Sequence, residues 1–243
     1  MKCLILAAGY ATRLYPLTEN FPKPLLKVGD KTIIDWLVDD IRSCGNVSEF
    51  IVVTNSRFVG SFRDWASDKP DVTVLDDGTS SNETRLGAVR DILFAVNAVS
   101  VDEDLLVVAG DNVLDFSLCR FLDYSIAKGS SCIMRYCEPD AARLRKSGVV
   151  TVGADDRVMR MVEKPEHPES NWCCPPFYYY IRDDVRMLES AIAEGCASDA
   201  PGSFAAWVAS KSRLFAMEMP GRRYDIGNLE SYRKVLAEYK GIL

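Results

Sequence analysis

The chain has 243 residues, 48% of them hydrophobic, enough for one large core or two small ones. A formal net charge of −6 makes the surface as a whole repel nucleic acid and anionic membrane, while leaving room for a local basic pocket around a small phosphorylated ligand. No apolar run approaches the roughly 20 residues of a membrane span, and the opening MKCLILAAGYA has too short an apolar segment, with Arg13 following at once, to read as a signal peptide.

Cys3-Leu4-Ile5-Leu6-Ala7 reads as a buried parallel strand. It breaks into Ala8-Gly9-Tyr10-Ala11, where backbone can approach a phosphate, and two cations follow, Arg13 and Lys23. Pro22 and Pro24 stiffen the mounting of Lys23. Such an order suits a triphosphate-binding loop, and it also suits a plain surface loop with two solvated cations. Thr32 to Cys44 then spaces Ile33, Ile34, Leu37, Val38 and Ile41 at helical period, with Gly45 as the stop. Phe50 to Val53 and Val72 to Leu75 read as strands around a helix over Phe58 to Ala66. Asp76 to Asn82 has turn composition and ends in an expected helix N-cap, followed by an amphipathic helix through Leu86, Val89, Ile92, Leu93 and Val96. Leu105 to Ala109 is the strongest central strand, stopping at Gly110-Asp111-Asn112.

Strands alternating with helices to this point predict an α/β layer with a mostly parallel sheet, whose ligands gather beyond the carboxyl ends of the strands. Strand-like runs then come closer together: Ser131 to Tyr136, Gly148 to Val152, Val158 to Glu163 and Phe177 to Ile181. They predict a smaller α+β insertion built on the first sheet. Helices are expected over Asp184 to Glu194 and Leu229 to Tyr239. The whole, residues 1–243, is read as one domain, with 1–130 mainly for a nucleotide and 131–243 mainly for an acceptor and the closing helix. Eight cysteines without a Cys-x-x-Cys, two of them the adjacent Cys173 and Cys174, suit reduced thiols in a cytoplasmic protein. His167 is the single histidine, in a polar Pro-rich stretch, so a Ser-His-Asp or Cys-His hydrolase has little to stand on.

Four features could carry chemistry. Asp111 ends a buried strand, where a carboxylate is costly unless paired or bound to a cation, though it could simply cap the next segment. Glu163-Lys164-Pro165 sets opposite charges at a strand end, and is equally a solvated turn. Arg222-Arg223-Tyr224-Asp225-Ile226-Gly227 puts an aromatic and a carboxylate before a glycine turn that opens the last helix. Asp77-Gly78-Thr79 with Arg85-Leu86-Gly87 is polar enough to read a base edge, although an ordinary loop explains it too. Two distant carboxylates with several cations and no usable histidine suit a magnesium-assisted phosphoryl reaction. A phosphate-bearing acceptor is already an anion near neutral pH and needs no general base.

The ordered anchors LILAAGYATRLYPLTENFPKPLL, VVAGDN, SGVVTV followed by VEKP, FYYY and RYDIGNLESY make the chain resemble the sugar-1-phosphate nucleotidylyltransferases, from Met1 to about Tyr232. That resemblance implies a Rossmann-like, mostly parallel sheet with helices on both faces, and transfer of a nucleotidyl group from an NTP to a phosphorylated acceptor with release of pyrophosphate. It implies that Ala7, Ala8, Gly9, Tyr10, Ala11 and Thr12 hold the nucleotide with Asp77, Gly78, Arg85 and Gly110. Arg13 is expected on the pyrophosphate portion, Lys23 at the reacting centre and Lys164 on the acceptor's phosphate, as the catalytic cations. Asp111 and Asp225 are expected to hold Mg2+. Asn112, Gly148, Glu163, Tyr178 and Arg223 are expected beside the acceptor, most readily a sugar 1-phosphate.

Departures mark this member. Ala11 stands where the family's turn has glycine, and its Cβ resists a positive φ. Pro176 replaces the glycine before the aromatic run, and Arg223 replaces a tryptophan two residues before Asp225. VTVLDDGTSSNETRL is loosely similar to the Asp-x-Gly…Arg-Leu loop of the cytidylyltransferases, which favours a pyrimidine NTP. The stretch after Asp225 is too short for the acetyltransferase-type β-helix of some relatives. The alternatives are a cytidylyltransferase for a small non-sugar phosphate or phosphonate, a glycosyltransferase using Asp102-Glu103-Asp104, and a non-catalytic nucleotide-sensing module. No nucleic-acid or membrane partner is expected, and a homo-oligomer is left open.

Overall fold

A computed structural model describes residues 1–242. The chain begins with β1 (Lys2–Leu6), two single 3-10 turns at Thr12–Leu14 and Lys23–Leu25, and a small hairpin, β2 (Lys27–Val28) and β3 (Lys31–Thr32). Then come α1 (Ile33–Ser43), β4 (Glu49–Thr54), α2 (Val59–Ala66), β5 (Val72–Asp76), α3 (Ala88–Ala98), β6 (Leu105–Ala109), β7 (Val113–Leu114) and α4 (Cys119–Lys128). The remainder is β8 (Ser131–Cys137), α5 (Ala141–Leu144), β9 (Gly148–Val152), β10 (Val158–Glu163), β11 (Trp172–Cys174) and β12 (Phe177–Tyr180). It closes with α6 (Arg182–Val185), α7 (Leu188–Ala193), α8 (Gly202–Lys211), β13 (Leu214–Glu218), β14 (Arg223–Tyr224) and α9 (Leu229–Glu238).

The chain divides into two compact units. The first comprises Met1–Arg85, Ala109–Arg120 and Pro220–Leu243. Here β1, β4 and β5 run parallel in that order, Ile5 beside Val52 and Val52 beside Val74. Val52 and Val53 are fully buried, so β4 reads as a continuous apolar run and not as an alternation. Thr32 caps α1, its Oγ1 accepting from Asp35 N–H at 3.1 Å. A separate apolar cluster of Leu14, Leu26, Val28, Ile33, Val113, Ile226 and Val235 packs with Trp36 and Tyr239, whose rings meet edge-on at 5.3 Å. That cluster seats the two-stranded ribbon β7–β14, in which Tyr224 pairs with Val113. The pairing brings Asp111-Asn112, just before β7, and Asp225, just after β14, to one end of the ribbon.

The second unit comprises Leu86–Val108 and Phe121–Met219. Its strands follow the order β10-β9-β11-β8-β12-β6, with antiparallel neighbours, and β13 adds to β8 in parallel. Gly148 lies opposite both Glu163 and Cys174, and Tyr178 lies opposite Ile133. Phe177, Tyr178, Tyr179 and Tyr180 are all buried, and Tyr180 packs on Phe204 of α8 with ring centroids 4.8 Å apart.

Three expectations change. The helix expected over Asp184 to Glu194 is two short ones, because Asp184 turns into the core to accept hydrogen bonds from Ser131 and Ser212 and ends α6 early. Asn82 is not a helix N-cap: its carboxamide oxygen takes Arg85 Nη1 at 2.8 Å, and α3 starts after Gly87. Cys44 and Cys119 are disulfide-bonded, against the expectation that all the thiols are reduced. They lie 75 residues apart, but Asp40, one helical turn before Cys44, accepts the Leu118 N–H at 2.8 Å and brings the two backbones to 5.1 Å between Cα atoms.

Candidate functional site

In the first unit, the turn after β1 is tied from beneath. Ala7 N–H donates to Val53 O at 2.8 Å, and Asn55 Nδ2 donates to Ala8 O at 2.9 Å. Gly9 is exposed, with nothing within 4 Å of where a Cβ would sit, so the turn opens onto free space. Ala11 takes the left-handed conformation after all, at φ 46° and ψ 41°. Its carbonyl accepts from Leu14 N–H at 2.9 Å and Thr18 Oγ1 at 2.8 Å, two bonds that hold a geometry costing an L-residue about 1–2 kcal/mol. Thr12 and Arg13 follow in the first 3-10 turn, both exposed.

Lys23 opens the second 3-10 turn with Pro24 beside it, and it is buried. Its Nζ lies 2.7 Å from Asp111 Oδ2, joining two residues 88 positions apart. Close packing pushes the Asp111 carboxyl up, but Lys23 and Arg223 outweigh this and hold it below the usual carboxylate range. Gly110 is where this strand end meets β1: a Cβ there would lie 2.8 Å from Ile5 Cγ2. Arg223 Nη1 donates to Asn112 Oδ1 at 3.1 Å, while Asn112 Nδ2 donates to Ala109 O at 2.8 Å. The buried Asn112 carboxamide thus joins Arg223 of β14 to the backbone of Ala109. Gly227 borders Asp225 Oδ2 at 3.5 Å and Arg13 Nη1 at 4.0 Å, measured from a built Cβ, so these two expected groups share one neighbourhood.

The Asp77 loop is also ordered. Thr79 donates its N–H and its Oγ1–H to Asp77 Oδ1, each at 2.7 Å, while burial pushes the Asp77 carboxyl up. Gly78 sits exposed at φ 78°, which favours glycine. Magnesium takes one or two protein carboxylates and completes its shell with phosphate and water. Asp111 and Asp225 at one ribbon end fit that habit, and no group of three or more His, Cys, Asp or Glu residues forms an all-protein cage among the described residues.

In the second unit, Gly148, Glu163 and Tyr178 do come together. Glu163 Oε2 lies 2.8 Å from where a Gly148 Cβ would be, and a Cβ on Gly202 would collide with it. Both glycines therefore make room for this carboxylate, and Tyr178 Oη stands 3.3 Å from the same Gly202 position. Burial pushes the Glu163 carboxyl up, with Lys164 opposing and Asp199 adding to it. Lys164 adopts φ 49°, and its N–H donates to Ser147 O at 3.0 Å. Its Nζ lies 3.5 Å from Asp199 Oδ2. Gly202 and Asp199 escaped the sequence reading, since α8 was not foreseen and SDAPGS reads as a plain loop. The Asp-x-Asp of the glycosyltransferase alternative is committed elsewhere: Asp102 pairs with Arg182 and Arg186, and Asp104 accepts from Tyr179 Oη and Arg182 N–H.

Residues 2–241 match the model of the nucleotidyl transferase family. The chain is 24% identical over 244 residues to a glucose-1-phosphate adenylyltransferase of Fervidobacterium nodosum, covering 94% of this chain and 59% of that protein. It is 29% identical over 209 residues to a glucose-1-phosphate thymidylyltransferase of Mycobacterium tuberculosis, covering 84% of this chain and 67% of the relative. The crystal structure of apo UDP-glucose pyrophosphorylase superposes with a TM-score of 0.82 at 22% identity, over 98% of this chain and 97% of that one. The shared fold is a mixed β-sheet with helices. With a match that runs from residue 2 to residue 241, the chain belongs to the nucleotidyl transferase family.

Proposed function

We propose that the protein transfers a nucleotidyl group from an NTP to a sugar 1-phosphate, releasing pyrophosphate. The observation that carries this reading is the contact of buried Lys23 with the half-exposed Asp111 at 2.7 Å beside Arg223, a carboxylate and two cations at a strand end next to an open turn. The related adenylyl- and thymidylyltransferases bear names that join a nucleotide to glucose 1-phosphate, which supports the same chemistry here.

In this reading the backbone from Ala7 to Thr12 holds the nucleotide and Arg13 screens its departing pyrophosphate. Lys23 turns from Asp111 to the α-phosphate, and its positive charge lowers the repulsion between two anions. Lys164 grips the acceptor's phosphate, and Glu163 accepts hydrogen bonds from the acceptor's donor groups. An acceptor oxygen then displaces pyrophosphate without a general base, since it carries charge already. Asp111 and Asp225 would hold a divalent cation, magnesium by choice, which supplies charge neutralisation on the phosphates. The Asp77-Gly78 loop with Arg85 favours a pyrimidine base.

The test is each NTP with magnesium against a panel of phosphorylated acceptors, following pyrophosphate. Release with a pyrimidine NTP and a sugar 1-phosphate is expected; no release from any pair by folded protein overturns the reading. A small phosphate or phosphonate acceptor with CTP is the second outcome to score, because Pro176 and Arg223 depart from the family's sugar pocket.

A further inference from the structure

The second unit carries an element that no motif announced, residues 198–201 ahead of α8. Its backbone is tied to the start of α3. Val89 N–H donates to Ser198 O at 3.0 Å, Ala88 N–H to Asp199 O at 3.4 Å, and Arg90 Nε to Ser198 Oγ at 3.2 Å. Gly87 permits this approach, because a Cβ there would lie 2.6 Å from Ser198 O, and its φ of +91° favours glycine anyway. At its far end, Gly202 leaves room for the Glu163 carboxylate. The segment is thus tied to α3 at residues 198 and 199, so the backbone of Asp199 is itself held.

Asp199 Oδ2 lies 3.5 Å from Lys164 Nζ, both side chains about half exposed at 57% and 51%. Lys164 needs such a partner. It follows the last residue of β10, and its left-handed φ of 49° turns it out of the strand's alternation. A lysine on such a corner has a long flexible stem and loses rotamer freedom whenever a ligand fixes it. An anchored carboxylate beside the ammonium removes part of that cost beforehand. As a surface ion pair it is too weak to hold Lys164 against a phosphate dianion.

We propose that Asp199 is the positioning residue for Lys164: it holds the ammonium in place for the acceptor's phosphate without touching the acceptor itself. The proposal rests on Lys164 binding that phosphate, as read above. Ordering one such side chain in advance is worth about 3- to 10-fold in acceptor affinity.

The experiment measures steady-state kinetics on the pair found active in the NTP-by-acceptor panel, for wild type, Asp199→Asn, Asp199→Glu, Lys164→Met and the Asp199→Asn/Lys164→Met double variant. Asp199→Asn is expected to raise acceptor KM about 3- to 10-fold with NTP KM unchanged, and Asp199→Glu to recover part of that loss. In the Lys164→Met background the same change is expected to do nothing more, because the two act through one group. A purely structural Asp199 would add its effect in either background and would move NTP KM as well, which overturns the proposal. An unchanged or lower acceptor KM in Asp199→Asn also overturns it while leaving the nucleotidyl-transfer reading intact. Absence of turnover in wild type with every pair overturns both.

Discussion

Two carboxylates, one in each unit, sit in opposite electrostatic states. Asp111 in the first unit has a buried lysine 2.7 Å away and a pKa held down. Glu163 in the second is burdened by burial, its pKa pushed up, and it is opposed by the half-exposed Lys164. The first carboxylate is paired with a cation across one short contact. The second sits in a space that two glycines leave open.

The strongest way to break this comparison is Asp111→Asn. It keeps the shape and removes the charge, so turnover is expected to fall by at least about 1,000-fold with an unchanged circular dichroism spectrum. Full activity would remove Asp111 from the site. Lys164→Ala comes next. Loss of a charge-assisted contact is worth about 1.5–3 kcal/mol, so acceptor KM is expected to rise roughly 10- to 150-fold while NTP KM stays put. An unchanged acceptor KM would refute the role.

Arg223→Trp tests the second cation beside Asp111. It removes the 3.1 Å bond to Asn112 and one of the two cations acting on Asp111. A shift of a few-fold in acceptor preference is expected from the loss of one partly screened charge. An identical profile across the acceptor panel would place Arg223 outside the acceptor's reach.

The pH dependence of stability should have opposite signs at the two carboxylates. Glu163 binds protons more readily folded than unfolded, so its stabilising share is present below its ordinary 4.5 and lost as pH rises through the raised value. Asp111 contributes above its ordinary 3.8 and loses that share as pH falls through the lowered value. Urea unfolding should therefore show Glu163→Gln gaining on wild type from acid toward neutral pH, and Asp111→Asn gaining toward strong acid. Parallel curves for the two variants would undo the contrast. The smallest effect belongs to Ala11→Gly, where relief of a left-handed alanine offsets the added freedom of the unfolded glycine. A change within about 1 kcal/mol in either direction is expected by thermal denaturation; a loss beyond about 2 kcal/mol would mean the alanine methyl has a packing role.

Much of the fold was legible because local pattern and tertiary need agree. The strands at 105–109, 148–152 and 158–163 have the expected boundaries, since apolar runs ending in glycine, aspartate or proline admit few other readings. The helix after the Asp77 loop started late because Gly87 answers to the backbone of residues 198 and 199, which no local window contains. The Cys44–Cys119 bond was invisible for the same reason, its ends being 75 residues apart. Gly202 and Asp199 stood in an ordinary-looking polar loop, and only the position of α8 gives them neighbours.

By itself the sequence determined the chemical inventory: a turn of small residues after the first strand, cations at 13, 23 and 164, carboxylates at 111, 163 and 225, and one histidine in a place of no use. Tertiary structure decided how that inventory is spent. Lys23 lies on Asp111 because the second 3-10 turn packs against Gly110, Pro24 Cγ lying 3.6 Å from a Cβ built there, and Asp225 joins them because Tyr224 pairs with Val113. Ala11 accepts a conformation its side chain disfavours because two hydrogen bonds hold its carbonyl. Residue identity sets what charge is available; pairing and burial, which depend on contacts distant in the chain, set whether that charge is neutralised or waiting.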